Sequence, residues 1–138
     1  MTIKEMLAVI LFGGFCLLSQ RSMADRIDIL ETYPTVEYCK QVTGMFYSGA
    51  LSRVNGHARI IKPADQNIMA MIEHKLPLPK DAIYATQWET LNDREKEFMT
   101  LHVFLGYDSN PEDEDEAASI AQKFFESCVR HRVAEKRI

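Results

Sequence analysis

The chain has 138 residues and a formal net charge of −4. This length fits one globular domain, and no internal repeat or low-complexity linker divides it. The acidic balance argues against nucleic-acid binding, which normally requires a basic surface.

The first 24 residues have the order of an export signal. Lys4 gives a basic start, residues 6–18 form an apolar run, and Ser22-Met23-Ala24 places small residues where a signal peptidase reads them. A membrane-spanning helix needs roughly 20 apolar residues, so this run is too short for a stable membrane span. We expect cleavage after Ala24, with an uncleaved anchor as the alternative. A lipid-modified form is disfavoured because the bulky Phe15 precedes Cys16.

Cleavage leaves a single domain of residues 25–138 in the periplasm or outside the cell. Its formal charge is −5, because the signal carries two basic residues and one acidic residue. Cys16 leaves with the signal, whereas Cys39 and Cys128 remain. Two thiols in a small exported domain most simply pair. We therefore predict a disulfide between Cys39 and Cys128, with two free buried thiols as the alternative.

Helical periodicity dominates residues 25–138 and predicts an all-α bundle of four to five helices, the first and last joined by the disulfide. The first helix is expected over residues 35–55, ending at Asn55-Gly56. Its apolar stripe is Val36, Cys39, Val42, Phe46, Ala50 and Val54. Pro63 and Asp65 open a second helix that ends before Pro77. The residues expected to face inward from it are Ile68, Met69 and Ile72.

A third helical segment is expected from Asp81, a candidate N-cap, to Gly106. Its apolar stripe is Tyr84, Trp88, Leu91, Phe98, Leu101 and Leu105. One long helix, or a helix kinked at Asn92-Asp93, is favoured, with two helices divided at Asn92-Asp93 and a short strand at residues 102–107 as the alternatives. The last helix begins near Asn110 and Pro111. Its buried stripe is expected to be Ala117, Ile120, Ala121, Phe124, Cys128 and Val129.

Five consecutive acidic residues open this last helix: Glu112, Asp113, Glu114, Asp115 and Glu116. Negative charge at a helix N-terminus complements the macrodipole, so helix electrostatics is the first interpretation. An interaction surface for a partner is the second and a metal site the third, although the run lacks the EF-hand spacing. If the first and last helices pack antiparallel, Arg53, Arg59 and Lys62 are expected near this run, in an exposed charge network.

Three local patterns resemble those of short exported bacterial helical proteins, a loose and mostly uncharacterised class. They are Cys39 early in the first helix, Ala50-x-x-Arg53-x-x-Gly56 at its end, and Phe125-x-x-Cys128 in the last helix. The resemblance spans most of residues 25–138. It implies a helical fold and an exported protein, and it carries no catalytic residue to this chain.

Patterns of catalysis are sparse, and we expect no catalytic residue, metal ion or cofactor. The four histidines, His57, His74, His102 and His131, lack the spacing of a zinc site. His102 lies in an apolar stretch and is expected to be a core residue. Ser48 and Ser52 lack the nucleophile-elbow pattern, and sequence alone assigns no acid or base role to Glu95.

Two patterns allow for binding as well as for ordinary packing. Gly44, Ser48 and Ser52 form a row of small residues that permits a close helix approach, most simply within the chain. The tyrosines Tyr33, Tyr38, Tyr47 and Tyr107 suit an interface or the edge of a core.

The function that these observations favour is a non-catalytic binding protein of the bacterial envelope, acting as an inhibitor, immunity or accessory factor. Its partner would be another envelope or exported protein. The alternative is a small-ligand carrier whose pocket is lined by Tyr84, Trp88, Phe98 and Phe104. An unrecognised hydrolase using Glu95 or His102 ranks third.

Overall fold

The computed structural model of the chain describes residues 26–60, 67–79 and 88–136. The helices are α1 (Arg26–Glu31), α2 (Thr35–Val54), α3 (Asn67–Glu73), α4 (Asp93–Asp108) and α5 (Glu114–Lys136), with a 3-10 turn at Trp88–Thr90. These segments contain no strand, so the predicted all-α fold is confirmed. The predictions for the signal, Lys62, Pro63, Asp65, Asp81 and Tyr84 lie outside the described residues.

Helix α2 is the centre of the bundle. Residues 41–52 are all buried, although they include polar residues such as Gln41 and Thr43. A helix that is covered on every side must be packed by several others. Helices α4 and α5 supply most of this cover. Val36 departs from the predicted stripe, since it lies in the first turn of α2 and remains 44% exposed.

Helices α2 and α5 pack antiparallel, which is the arrangement that the sequence analysis considered. A disulfide joins Cys39, near the start of α2, to Cys128, near the end of α5, with the Cα atoms 5.8 Å apart. Further along α2, the ring of Phe46 stacks on Phe124 with centroids 4.4 Å apart. The predicted disulfide is confirmed. It joins the second and last helices, because the short helix α1 precedes α2 and was not predicted.

We predict that Cys128→Ala lowers stability substantially while the helices persist at low temperature. The disulfide spans a sequence separation of 89 residues. In the chain-entropy account, losing such a cross-link costs roughly 4–5 kcal/mol, which is a large share of a small domain's stability. Thermal denaturation followed by circular dichroism measures this, with Cys39→Ala as the matched variant. Recovery of free thiols from the exported wild-type protein would contradict the prediction.

Helices α2 and α4 touch backbone to backbone at two glycines. A Cβ atom on Gly49 would lie 2.8 Å from the backbone nitrogen of Tyr107, and one on Gly106 would lie 2.7 Å from the carbonyl carbon of Phe46. Real Cβ atoms do not approach backbone atoms this closely. The predicted row of Gly44, Ser48 and Ser52 is buried by the chain itself. The closest approach nevertheless uses Gly49, on the neighbouring row.

Gly106→Ala is expected to destabilise the protein by about 3 kcal/mol, the upper end of ordinary overpacking, because the new methyl group meets backbone that cannot rotate away. Ser119→Ala, on an exposed position of α5, is the matched control and should change stability by less than about 0.5 kcal/mol. Urea denaturation of both variants gives the comparison. Equal midpoints for the two would show that α2 and α4 are not in this contact.

Helix α4 begins later than the long helix that the sequence favoured. The Asn92 side chain accepts a hydrogen bond from the Glu95 amide at 2.8 Å, and the Glu95 carboxylate accepts one from the Asn92 amide at the same distance. This capping box starts a new helix, so the single-helix prediction is wrong over residues 88–92. The strand alternative is also wrong, because residues 102–107 are helical.

The new start changes which residues of α4 face the core. Met99 and Val103 are fully buried, whereas Leu101 and Leu105 of the predicted stripe are 56% and 46% exposed. The predicted stripe assumes one continuous helix from Trp88, whereas the helix starts anew at Asp93. Helix α4 also ends at Asp108, two residues beyond the predicted Gly106.

Helix α5 begins at Glu114, and Asp113 caps it by accepting a hydrogen bond from the Glu116 amide at 2.8 Å. The predicted cap, Asn110, instead has a positive φ of 57° in the preceding turn, and Pro111 is buried there. The predicted inner face of α5 is confirmed, since Ala117 and Ala121 are fully buried and the remaining stripe is half-buried.

Candidate functional site

The acidic run lies at the exposed start of α5, and its residues have two roles. Asp113 and Glu116 cap the helix, since Glu116 also accepts a hydrogen bond from the Glu112 amide at 2.6 Å. These contacts agree with the predicted helix electrostatics. Glu112, Glu114 and Asp115 are exposed and are not used in the cap. Two of the five acidic side chains thus cap the helix, and the other three are left at the surface.

His74, just after α3, is the basic side chain that faces this run. Its Nε2 atom lies 3.7 Å from Glu114 Oε1, and its Nδ1 atom lies 3.9 Å from Asp115 Oδ1. Both distances exceed those of an ordinary hydrogen bond, so the contact is weak. It is nevertheless where the end of α3 meets the start of α5.

The end of α3 is fixed by a Schellman motif, which sets the position of His74. The Leu76 amide donates to the Met71 carbonyl at 2.9 Å, and the Lys75 amide donates to the Ile72 carbonyl at 3.0 Å. Lys75 takes the left-handed conformation that this motif requires, with φ of 59°. Helix α2 ends in the same way, but it places Gly56 at the equivalent position.

The predicted basic neighbours of the acidic run are elsewhere. The guanidinium of Arg59 lies over the ring of Phe104 and pairs with Asp108, and that of Arg53 lies 5.1 Å from the ring centre of Tyr107. The predicted contact of Arg53 and Arg59 with the run is therefore wrong. Lys62 lies outside the described residues. Within the described segments, no lysine or arginine forms an ion pair with the run.

Tyr47 of α2 lies beneath the place where α3 and α5 meet. It belongs to the same core cluster as Met71 of α3 and Ala117 and Ala118 of α5. Its side chain is fully buried, and its hydroxyl has no hydrogen-bond partner among the described residues. Burial, with the carboxylates of Glu114 and Glu73 adding to it, raises the pKa of Tyr47 to about 12. An unpartnered buried hydroxyl costs stability, typically about 1–3 kcal/mol.

Helix α3 contributes an exposed apolar face. Met71 is its fully buried residue, whereas Met69 and Ile72 are 72% and 52% exposed. The prediction that Met69 and Ile72 face inward is wrong, because Met71 occupies the inner position. We call the residues that α3 and α5 present together the α3–α5 surface, comprising Met69, Ile72, Glu73, His74, Glu114 and Asp115. It combines apolar side chains with carboxylates.

Glu95 and His102, the two residues considered for catalysis, have separate hydrogen-bond partners and do not bond to each other in the hydrogen bonds described below. Glu95 is fully buried and its carboxylate completes the α4 capping box. His102 Nδ1 donates to the Phe98 carbonyl at 2.9 Å, and its ring packs on Phe98 and Phe124. His102 thus lies in the core region that the sequence indicated. No group of three or more potential metal ligands occurs in the described parts of the chain.

The residues considered for a ligand pocket are divided between two places. Trp88 and Phe98 pack on the cluster of Met45, Leu91, Met99 and Val103. Phe104 instead lies under Arg59. Of the tyrosines, Tyr38 stacks under Arg132, and the Tyr107 hydroxyl donates to the His57 carbonyl at 2.9 Å. These aromatic residues do not converge on one site.

Comparison with protein-family models, curated proteins and solved structures found no match to this chain. Among the described helices, none has the length and apolar character needed to cross a bilayer.

Burial lowers the pKa of His102, which is partly opposed by its hydrogen bond to Phe98. The folded state therefore favours neutral histidine, and protonation favours unfolding. Histidine in the unfolded chain titrates near pH 6.5. The folded protein therefore keeps its full stability above that pH and loses part of it as the pH falls below it. We predict that His102→Gln loses less stability than the wild type between pH 7.5 and 5.5.

Urea denaturation at the two pH values measures this difference. Ser119→Gln, at an exposed and non-titrating position of α5, is the matched control and should keep the wild-type pH dependence. If His102→Gln and the wild type lose equal stability on acidification, protonation of His102 does not oppose folding.

Proposed function

We propose that this protein is a non-catalytic binding factor of the bacterial envelope, which acts on an exported or envelope protein as an inhibitor, immunity or accessory factor. The observation that carries the proposal is the α3–α5 surface. Its carboxylates face outward without an arginine or lysine partner among the described residues, beside the exposed side chains of Met69 and Ile72. Apolar side chains bordered by charge are typical of surfaces that bind other proteins.

The proposed location, in the periplasm or outside the cell, is supported by two features. Residues 1–24 have the order of an export signal, and the Cys39–Cys128 disulfide suits an oxidising compartment. The negative charge of the domain would speed its encounter with a basic partner. Small helical immunity proteins of contact-dependent toxin systems offer an analogy of architecture only.

A carrier or an enzyme has less support from the described residues. The carrier hypothesis loses Phe104, which stacks with Arg59 away from Trp88 and Phe98. The enzyme hypothesis depends on Glu95 and His102, whose side chains are used in a helix cap and an aromatic cluster. Both observations favour binding through the surface over chemistry in the interior.

Site-specific photo-crosslinking in the producing cells tests the proposal. A benzophenone amino acid at position 69 or 112 is expected to crosslink one exported or envelope protein, which mass spectrometry identifies. The same group at position 101, on the exposed side of α4, is the matched control and should not crosslink it. Crosslinking of that protein from position 101 alone would place the interface elsewhere, and the absence of any crosslinked protein would argue against a binding factor.

The carboxylates are tested by the double variant Glu114→Lys and Asp115→Lys, which reverses the outward charge and leaves the cap residues Asp113 and Glu116 in place. Crosslinking from position 69 is expected to fall at least tenfold, because a basic partner would then be repelled. The double variant Glu89→Lys and Glu97→Lys, at two exposed carboxylates away from this surface, makes the same change in net charge and is the control. An equal loss in both variants would indicate a general charge effect in place of a local contact.

A further inference from the structure

The Tyr47 hydroxyl provides an observation that is independent of the acidic residues. Its side chain is fully buried, yet the hydroxyl has no partner in the described structure. Buried hydroxyl groups nearly always have a hydrogen-bond partner, and an exception calls for an explanation. A purely structural role would be met equally well by phenylalanine. The hydroxyl therefore indicates a group that is bound at this position in another state of the protein.

The surroundings of Tyr47 indicate the charge of that group. Tyr47 shares one core cluster with Met71 of α3 and Ala117 of α5, which places its side chain where α3 and α5 both pack on α2. The carboxylates of Glu73 and Glu114 act on it electrostatically. A tyrosine oxygen and two carboxylates are acceptors, and they suit a ligand with several N–H donors and a positive charge.

The surface around this position indicates that the ligand belongs to a macromolecule. Met69 and Ile72, on the same short helix as Glu73, are largely exposed. A free amine would leave these side chains uncovered, whereas a polypeptide can cover them with its own apolar residues. A metal ion is a poorer fit, because the described residues offer no group of three or more potential ligands.

We propose, building on the proposed function, that the α3–α5 surface binds a basic segment of the partner protein by inserting one arginine or lysine side chain between Glu73 and Glu114, against the Tyr47 hydroxyl. Apolar residues next to that side chain pack on Met69 and Ile72. The inserted cation donates hydrogen bonds to acceptors that face no lysine or arginine among the described residues. The apolar contacts supply the buried area, and the cation supplies specificity.

Entry requires the side chain of His74 to move away from Glu114 and Asp115. Its contacts with them are long, at 3.7 and 3.9 Å, so little is lost when they separate. Helix α3 has seven residues and is anchored through Met71 and Leu76. A small shift of this helix opens the hydroxyl while α2, α4 and α5 stay in place.

The test is a selection of a random 12-residue peptide display library on the full domain with its disulfide intact. We expect the enriched peptides to share an arginine or lysine next to one or two apolar residues. Their affinity is expected to fall at least tenfold for Tyr47→Phe and for Glu114→Gln. Glu97→Gln, on the exposed side of α4, is the matched control and should bind as the wild type does.

Tyr47→Phe separates binding from folding. The variant is expected to keep or raise the melting temperature, because it removes an unpartnered hydroxyl. It is also expected to lower the affinity of the domain for the peptides. Methyl NMR locates the complex: the Met69 signal should shift on peptide addition, and the signal of the buried Met99 should not. Three results would overturn the inference. The enriched peptides could lack a basic residue, they could bind Tyr47→Phe as tightly as the wild type, or no peptide could be enriched. A partner crosslinked from position 69 would still support the binding function in each of these cases.

Discussion

The burial of helix α2 on all sides is the constraint on which the rest of the structure depends. A helix can be covered this completely only if its neighbours approach closely, and two glycines make that possible on one side. Gly49 and Gly106 place α2 and α4 in backbone contact. On the other side, the Cys39–Cys128 disulfide and the stacked rings of Phe46 and Phe124 hold α5 antiparallel to α2. The start of α5, with its acidic residues, is thereby carried to the far end of α2, where α3 also ends.

Sequence periodicity predicted the parts of this fold that have a long, uninterrupted pattern. Helices α2 and α5 and their inner faces follow from apolar residues at three- and four-residue steps. The pairing of the two cysteines on those faces was predicted from the export-signal pattern of residues 1–24. Helix α4 was harder to predict, because its phase depends on a single local contact. Once the side chains of Asn92 and Glu95 cap a new helix, the stripe from Trp88 no longer applies, and Val103 faces the core in place of Leu101.

The candidate site was predicted only in part. The acidic run stands out in sequence, but its neighbours are brought to it by tertiary packing. His74 and Tyr47 lie 38 and 65 positions before Glu112, and no spacing rule connects either residue to the run. Tertiary packing of α3 and α5 on α2 brings them together. The one local signal that could have been read was the short length of α3, since a helix of seven residues can bury little more than one turn. With Met71 inside, Met69 and Ile72 have to remain at the surface.

The acidic character of the α3–α5 surface also depends on where the arginines are held. Arg53 and Arg59 lie over Tyr107 and Phe104, and Arg132 lies 3.8 Å from the ring centre of Tyr38. Contacts of this kind contribute roughly 0.5–2 kcal/mol each, and they keep the cations on the α4 side and at the far end of α5. Arg59 is also paired with Asp108 at the end of α4, so these arginines do not neutralise the carboxylates at the start of α5. The aromatic rings that hold the arginines thus help to leave these carboxylates available to the basic partner that we propose.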